Sequence, residues 1–236
     1  MDNQYQITKE TNPVIGSMSF ARLMRNVYGW MTAGLAMTAL TALIVANSPS
    51  LLATIYSSPV VLFGIIIAEL VMVGMLSARI DRMSFLMAGL IFGAYSVVNG
   101  LTMSVIFLAY NMDVIVQTFA ITAGVFGAMS LLGFFVKKDL SAIGRVLYMA
   151  LIGLIIATVV NLFAHNTGLA MVINYGGVLV FVGLTAYDTQ KIKKMMIACD
   201  GDESMSGKLA VLGSLTLYLD FVNLFLYILR FVGGRK

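Results

Sequence analysis

The sequence predicts an all-α, polytopic membrane protein whose seven transmembrane helices pack with the seventh at the centre of the bundle. Three observations carry the prediction. Of 236 residues, 60% are hydrophobic and 11% charged, with a mean hydropathy of +0.94, against roughly 45–50% apolar and 25% charged in soluble domains. Seven apolar runs reach the ~20 residues that cross a hydrocarbon layer of ~30 Å. The seventh run carries a polar stripe that lipid would not tolerate.

In order, the runs cover about residues 26–46, 59–78, 84–108, 114–135, 143–163, 169–188 and 210–232. Turn-forming residues separate them: Asn47-Ser48-Pro49-Ser50, Tyr110-Asn111-Met112-Asp113 and His165-Asn166-Thr167-Gly168, with Asp81-Arg82 and Lys137-Lys138-Asp139 in other breaks. The first run has full spanning length and no small-residue cleavage pattern, so it reads as its own insertion signal rather than a removed leader. Residues 1–19 read as a mobile, polar cytoplasmic tail, and 20–236 as the membrane domain.

Lys and Arg set the orientation. One side collects Lys9, Arg22, Arg25, Arg79, Arg82, Lys137, Lys138, Arg145, Lys191, Lys193, Lys194 and Lys208, whereas the breaks at 47–58, 109–113 and 164–168 hold neither residue type. The expected topology has a cytoplasmic N-terminus and an extracytoplasmic C-terminus. Arg235 and Lys236 pull against it, and a re-entrant last segment would return the C-terminus to the cytoplasm.

Several function classes fall away. A single cysteine, Cys199, supports neither a disulfide framework nor a Cys-based metal site. The net charge of +4 is scattered over short polar breaks, which argues against nucleic acid. No span holds a Schiff-base lysine or an arginine ladder, and the Walker A, HExxH, GxSxG and potassium-filter patterns are missing. Asp188 and Asp220 also lack the glycine-bearing partner sequence of an intramembrane aspartyl protease. Neither enzymatic activity nor a resident cofactor is expected.

Four ionisable residues fall within apolar runs, where a charge costs a few kcal/mol on insertion scales. Glu69 lies mid-way along the second, Asp188 closes the sixth, and Asp220 and Arg230 lie in the seventh. Gly213, Thr216, Asp220, Asn223, Tyr227 and Arg230 follow steps of three or four along one face of the seventh. Asp220 and Arg230, ten residues apart, are separated by about 15 Å along the axis and cannot pair directly. Asp188 and Asp220 fall in the same half of the membrane; two carboxylates sharing such a site do not comfortably both ionise, so the pair would share a proton. Structural readings stay open beside these: Asp188 neutralised by Lys191, Asp220 paired with a neighbouring helix, Glu69 a protonated packing residue, Arg230 snorkelling to the interface. Gly29, Gly124, Gly127, Gly176, Gly177 and Gly183 read as points of close helix approach, and Asn99, Asn161 and Asn174 as interhelical hydrogen-bonding residues.

The segments Gly183-Leu184-Thr185-Ala186-Tyr187-Asp188-Thr189-Gln190-Lys191-Ile192-Lys193 and Leu217-Tyr218-Leu219-Asp220-Phe221-Val222-Asn223-Leu224-Phe225 resemble the signature of the Bax inhibitor/YccA family, also called the transmembrane Bax-inhibitor-motif family, in its bacterial inner-membrane members. Lys137-Lys138-Asp139-Leu140-Ser141 and Gly124-Val125-Phe126-Gly127-Ala128-Met129 resemble it too. The resemblance implies a pH-sensitive calcium leak whose last helix is wrapped by the other six. It implies Asp188 and Asp220 as a proton-sensing pair that calcium contacts transiently, Arg230 as an arginine linked to closure, and Glu69 as the acidic residue of the second helix on the ion path. Asn223 joins Glu69 and Asp220 on that path. Calcium and protons are then the permeant and gating ions, and the bilayer the permanent partner. The alternative is a regulatory protein that binds and modulates a membrane-bound protease or other membrane complex without conducting ions; a proton-coupled solute carrier is a third class.

Overall fold

The computed structural model describes residues 13–199 and 203–233, with side chains described from Met24 onward and, in the last helix, from Ser204. Eight α-helices form it: α1 (Pro13–Ala46), α2 (Pro49–Tyr56), α3 (Pro59–Arg79), α4 (Phe85–Ala109), α5 (Met112–Phe135), α6 (Ser141–Ala164), α7 (Thr167–Ala198) and α8 (Glu203–Val232), with a 3-10 turn at Ile80–Arg82. All but α2 are long and apolar enough to cross a membrane, and they fall on the seven runs read from the sequence.

Local chemistry explains the boundaries. Ser48 and Ser58 stand in extended conformation before Pro49 and Pro59, whose fixed φ and missing N–H suit a first helical position. The Ser84 and Asn166 side chains accept from Met87 N and Leu169 N, capping α4 and α7. His165 ends α6 in the left-handed region at φ 51.

Burial ranks the helices. Over the most apolar 18-residue stretch of each helix, 61% of residues are buried in α8, against 6% in α3 and 0% in α6. α8 packs on α1, α3, α4, α5 and α7, so the last helix is central. α6 packs chiefly on α7 and stands outermost, so the wrap around α8 comes mainly from five spans rather than six. The lipid-facing sides carry exposed apolar residues such as Val60 and Phe163, at 81% and 84%. In a soluble protein that surface would aggregate; here the bilayer covers it.

Three expectations are corrected, and the alternative of a re-entrant last segment is removed. The break at 47–58 holds a helix, α2, because Leu51-Leu52-Ala53-Thr54-Ile55-Tyr56 follows a proline-started turn and buries Ile55. Helix α1 begins at Pro13, so residues 13–19, read as mobile, are helical; residues 1–12 lie outside the described residues, as do Arg235 and Lys236. Helix α7 runs ten residues past Asp188 to Ala198, held by Ile192 and Met196, both 0% exposed. Asp188 is therefore mid-helix and does not oppose a helix C-terminus. Helix α8 is unbroken over 30 residues, about 45 Å, which leaves no re-entrant turn.

Of the six glycines expected at close approaches, Gly176, Gly177 and Gly183 are in contact and the other three are not. A Cβ on Gly29, Gly124 or Gly127 would meet nothing within 4 Å, whereas Gly177 lies against the Tyr227 ring and Gly183 against Leu147. The tightest contact is at Gly133, where α5 presses on the backbone of Ala186 in α7. Gly133→Ala is expected to lower thermal stability in detergent by about 1–3 kcal/mol through overpacking, while Gly124→Ala leaves it unchanged or slightly raised. Equal melting temperatures for the two variants would contradict the packing described.

Candidate functional site

Three helices build the centre of the site. Gly144 of α6 sits against the Tyr187 ring of α7, and this approach brings Tyr148, one turn further along α6, over Asp188. The Tyr148 hydroxyl donates to the two Asp188 carboxylate oxygens at 3.1 and 3.3 Å. Asp188 is 2% exposed and Asp220, on the adjacent α8, 4%. Asp220 Oδ2 is buried and has no hydrogen-bond partner among the described residues. An ionised carboxylate in that position carries a desolvation cost that no donor offsets. The two aspartates thus lie on packed helices, and the sole hydroxyl donor to Asp188 among the described residues comes from outside either motif.

A second polar network lies on another side of α8. Glu69 Oε1 accepts from Thr102 Oγ1 at 2.9 Å and from Asn99 Nδ2 at 3.4 Å, both on α4. Asn99 Oδ1 accepts from the Tyr218 hydroxyl at 2.9 Å, and Tyr218 meets Thr38 Oγ1 of α1 at 2.7 Å. Tyr218 donates to Asn99 and Asn99 to Glu69, while the single Thr38 hydroxyl hydrogen faces both Tyr218 and the Ser96 carbonyl at 2.8 Å. Ser214, one turn earlier on α8, lies 2.7 Å from the Val27 carbonyl of α1. Glu69 therefore belongs to the α1–α3–α4–α8 interface, and among the described residues no three His, Cys, Asp or Glu side chains gather where they could hold a metal ion. Asn223 donates through Nδ2 to Leu219 O at 2.8 Å, leaving its carbonyl oxygen uncommitted by that bond.

Arg230 lies apart from both networks. It is exposed, stacks over Tyr227 at 5.6 Å, and lines a cavity of about 490 Å³ with Tyr110, Thr158, Asn161 and Asn174 at the end of the bundle away from the Lys and Arg cluster. At the basic end, α7 clamps the α5–α6 loop. Gln190 Oε1 accepts from Leu140 N at 2.9 Å, its Nε2 donates to Lys138 O at 2.9 Å, and Lys193 Nζ donates to Phe134 O at 2.7 Å. Lys194 Nζ meets Asp139 Oδ1 at 2.6 Å; that contact, with Ser141, holds the exposed Asp139 carboxyl well below the usual carboxylate range. A depressed carboxyl keeps its contribution above its unfolded value and loses it as pH falls through the folded one, so this link persists at neutral pH.

Reading the sequence for charges alone passed over Tyr148, Tyr218, Thr38 and Thr102. One signal was available for the tyrosines: a Tyr within an apolar span needs a partner for its hydroxyl.

Seven apolar helices, the last buried and lined by two facing carboxylates, define a multi-pass membrane protein with an ionisable core. The sequence matches the family described as "Inhibitor of apoptosis-promoting Bax1" over residues 21–236, and the chain belongs to that family. It is 49% identical over 214 residues to the Escherichia coli (strain K12) protein named "Inner membrane protein YbhL", covering 90% of this chain and 92% of that one. Relatives from Deinococcus radiodurans and Borreliella burgdorferi are 40% identical over 212 residues and 38% identical over 230 residues, covering 90% and 98% of this chain and the same shares of their own.

The geometry separates the two aspartates in their effect on stability. Asp220→Asn removes a carboxylate without a donor and is expected to leave melting temperature unchanged or raised at neutral pH. Tyr148→Phe removes the donor from Asp188 and is expected to cost about 1–3 kcal/mol. A destabilised Asp220→Asn beside an unaffected Tyr148→Phe would contradict the hydrogen-bond assignment.

Proposed function

We propose that this protein is a pH-gated calcium leak of a bacterial inner membrane, with the N-terminus cytoplasmic and the C-terminus outside. The supporting observation is the buried Asp188–Asp220 pair with Asp220 Oδ2 left unpartnered. Such an oxygen calls for a proton or a cation, and the pair is the gate because only one of these attends it at a time. With a shared proton, the α7–α8 interface carries one negative charge, which Tyr148 satisfies, and the helices stay closed. With the proton lost, two charges repel in a low-dielectric core, the interface opens, and calcium becomes the compensating ion.

The donor set suits transit rather than storage. Calcium takes six to eight oxygens, while the pair and the Asn223 carbonyl supply few, and water completes the shell. Glu69 serves at another depth of the path, and Arg230 at the far end tunes closure through its positive charge. The second network ties α8 to α1 and α4 through Ser214 and Tyr218. The gating displacement therefore falls between α8 and the α6–α7 pair.

Calcium flux into liposomes holding the purified full chain is the test, measured on either side of neutral pH. The wild type is expected to conduct in a pH-dependent way, Asp188→Asn and Asp220→Asn to lose that dependence, and Glu69→Gln to lower flux with the dependence intact. Folded protein that gives no flux above empty liposomes at any pH would overturn the leak and favour a regulatory protein that binds a membrane-bound protease or another membrane complex.

A further inference from the structure

Helices α1 and α5 both lean on α8 but part from each other, and a cavity of about 660 Å³ opens between them. Its walls are apolar: Leu35 and Ala39 from α1, Phe119, Phe126 and Gly127 from α5, with Phe221 of α8 as the floor. A second cavity of about 110 Å³ continues it, sharing Leu35, Ala39, Phe119 and Phe221 and reaching Ala42 and Ile115. Together they run along α1 from Tyr28 to Ala42, fourteen steps or about 21 Å. That exceeds the ~15 Å thickness of one leaflet's hydrocarbon, half of the roughly 30 Å core.

We infer that this groove binds one acyl chain of an anionic phospholipid whose headgroup lies at the basic end of the bundle. Location decides the chain: the groove lies at the depth of two membrane spans, so hydrocarbon is what reaches it. Charge decides the headgroup. The groove ends at Phe134 and Phe135. Just beyond them stand the exposed Lys137 and Lys138, and Lys193 lies over the Phe134 ring at 4.9 Å. Arg25, exposed, lies one turn of α1 before Tyr28. Four cations at one mouth attract an acidic headgroup at the bilayer surface, while the opposite mouth near Ala42 and Ile115 has no such cluster in the sequence.

The groove is not a generic lipid-facing surface, because it has three walls and a polar link to the interior. Tyr28 and Ser130, both lining it, are hydrogen-bonded to each other, and Ser130 Oγ lies 3.0 Å from Thr189 Oγ1, the residue after Asp188. Gly127 keeps a wall open, since a Cβ there would meet nothing within 4 Å. The binding site is independent of whether ions cross the protein.

Native mass spectrometry of the full chain released from nanodiscs of phosphatidylglycerol or phosphatidylcholine tests the inference. The wild type should retain one lipid, with phosphatidylglycerol preferred by about tenfold, equal to about 1.4 kcal/mol. Gly127→Phe, which fills the groove, should abolish retention, whereas Gly64→Phe, equally bulky and open to lipid, should retain it. Lys137→Ala with Lys138→Ala should lose the headgroup preference and keep a lipid. Should Gly127→Phe not fold, Ala123→Leu, also on the groove wall, takes its place. No retained lipid in the wild type, equal retention in the filled and control variants, or a dimer closing over the groove would each overturn the proposal.

Discussion

Two carboxylates in the α7–α8 interface set the terms for everything around them, because charge inside hydrocarbon is the costliest thing a membrane helix carries. Asp188 and Asp220 require α8 to be shielded from lipid, and the burial of 61% of its most apolar 18-residue stretch meets that requirement. They require close helix approach, which Gly133 against the Ala186 backbone and Gly144 against the Tyr187 ring provide. They also require a donor, and α6, otherwise the most lipid-exposed helix, supplies it through Tyr148. The outermost span thus reaches Asp188 through one hydroxyl.

The other side of α8 is organised differently. There the polar groups pair off: Glu69 with Thr102 and Asn99, Asn99 with Tyr218, Tyr218 with Thr38. A satisfied network fixes helices in place, whereas a half-satisfied one leaves energy to be released by a proton or an ion. Helix α8 therefore has an anchored face toward α1 and α4 and an unsettled face toward α7. Its aromatic contacts, Phe221 with Phe126 at 5.4 Å and with Phe119 at 5.3 Å, put the apolar groove on a third side.

Much of this was legible in the residues, for physical reasons. Spans are read well because a bilayer accepts few alternatives to an unbroken apolar helix, and all seven fall where the runs lie. The polar stripe placed α8 at the centre because lipid would reject Asp220. What the sequence hid depended on tertiary contact or on helix propagation. α7 outlasts its apolar run because Ile192 and Met196 pack beneath α8 while Lys193 and Lys194 reach the α5–α6 loop, so a charge cluster that reads as a loop is a helix. Glycines could not be sorted from their spacing, since Gly127 borders a groove and Gly133 a backbone contact. Glu69 is hydrogen-bonded to Thr102 and Asn99, a pairing that depends on which face of α4 meets α3.

The central claim is that Asp188 and Asp220 share a single proton in the closed protein. Infrared difference spectroscopy of the carboxyl stretching region, on the reconstituted full chain titrated through neutral pH, tests this most directly. The account predicts one protonated-carboxyl band that disappears as pH rises, is absent when Asp188 and Asp220 are both replaced by Asn, loses its wild-type pH dependence in either single variant, and is unmoved by Glu69→Gln. A band that survives both aspartate substitutions, or no titrating carboxyl at all, would contradict it.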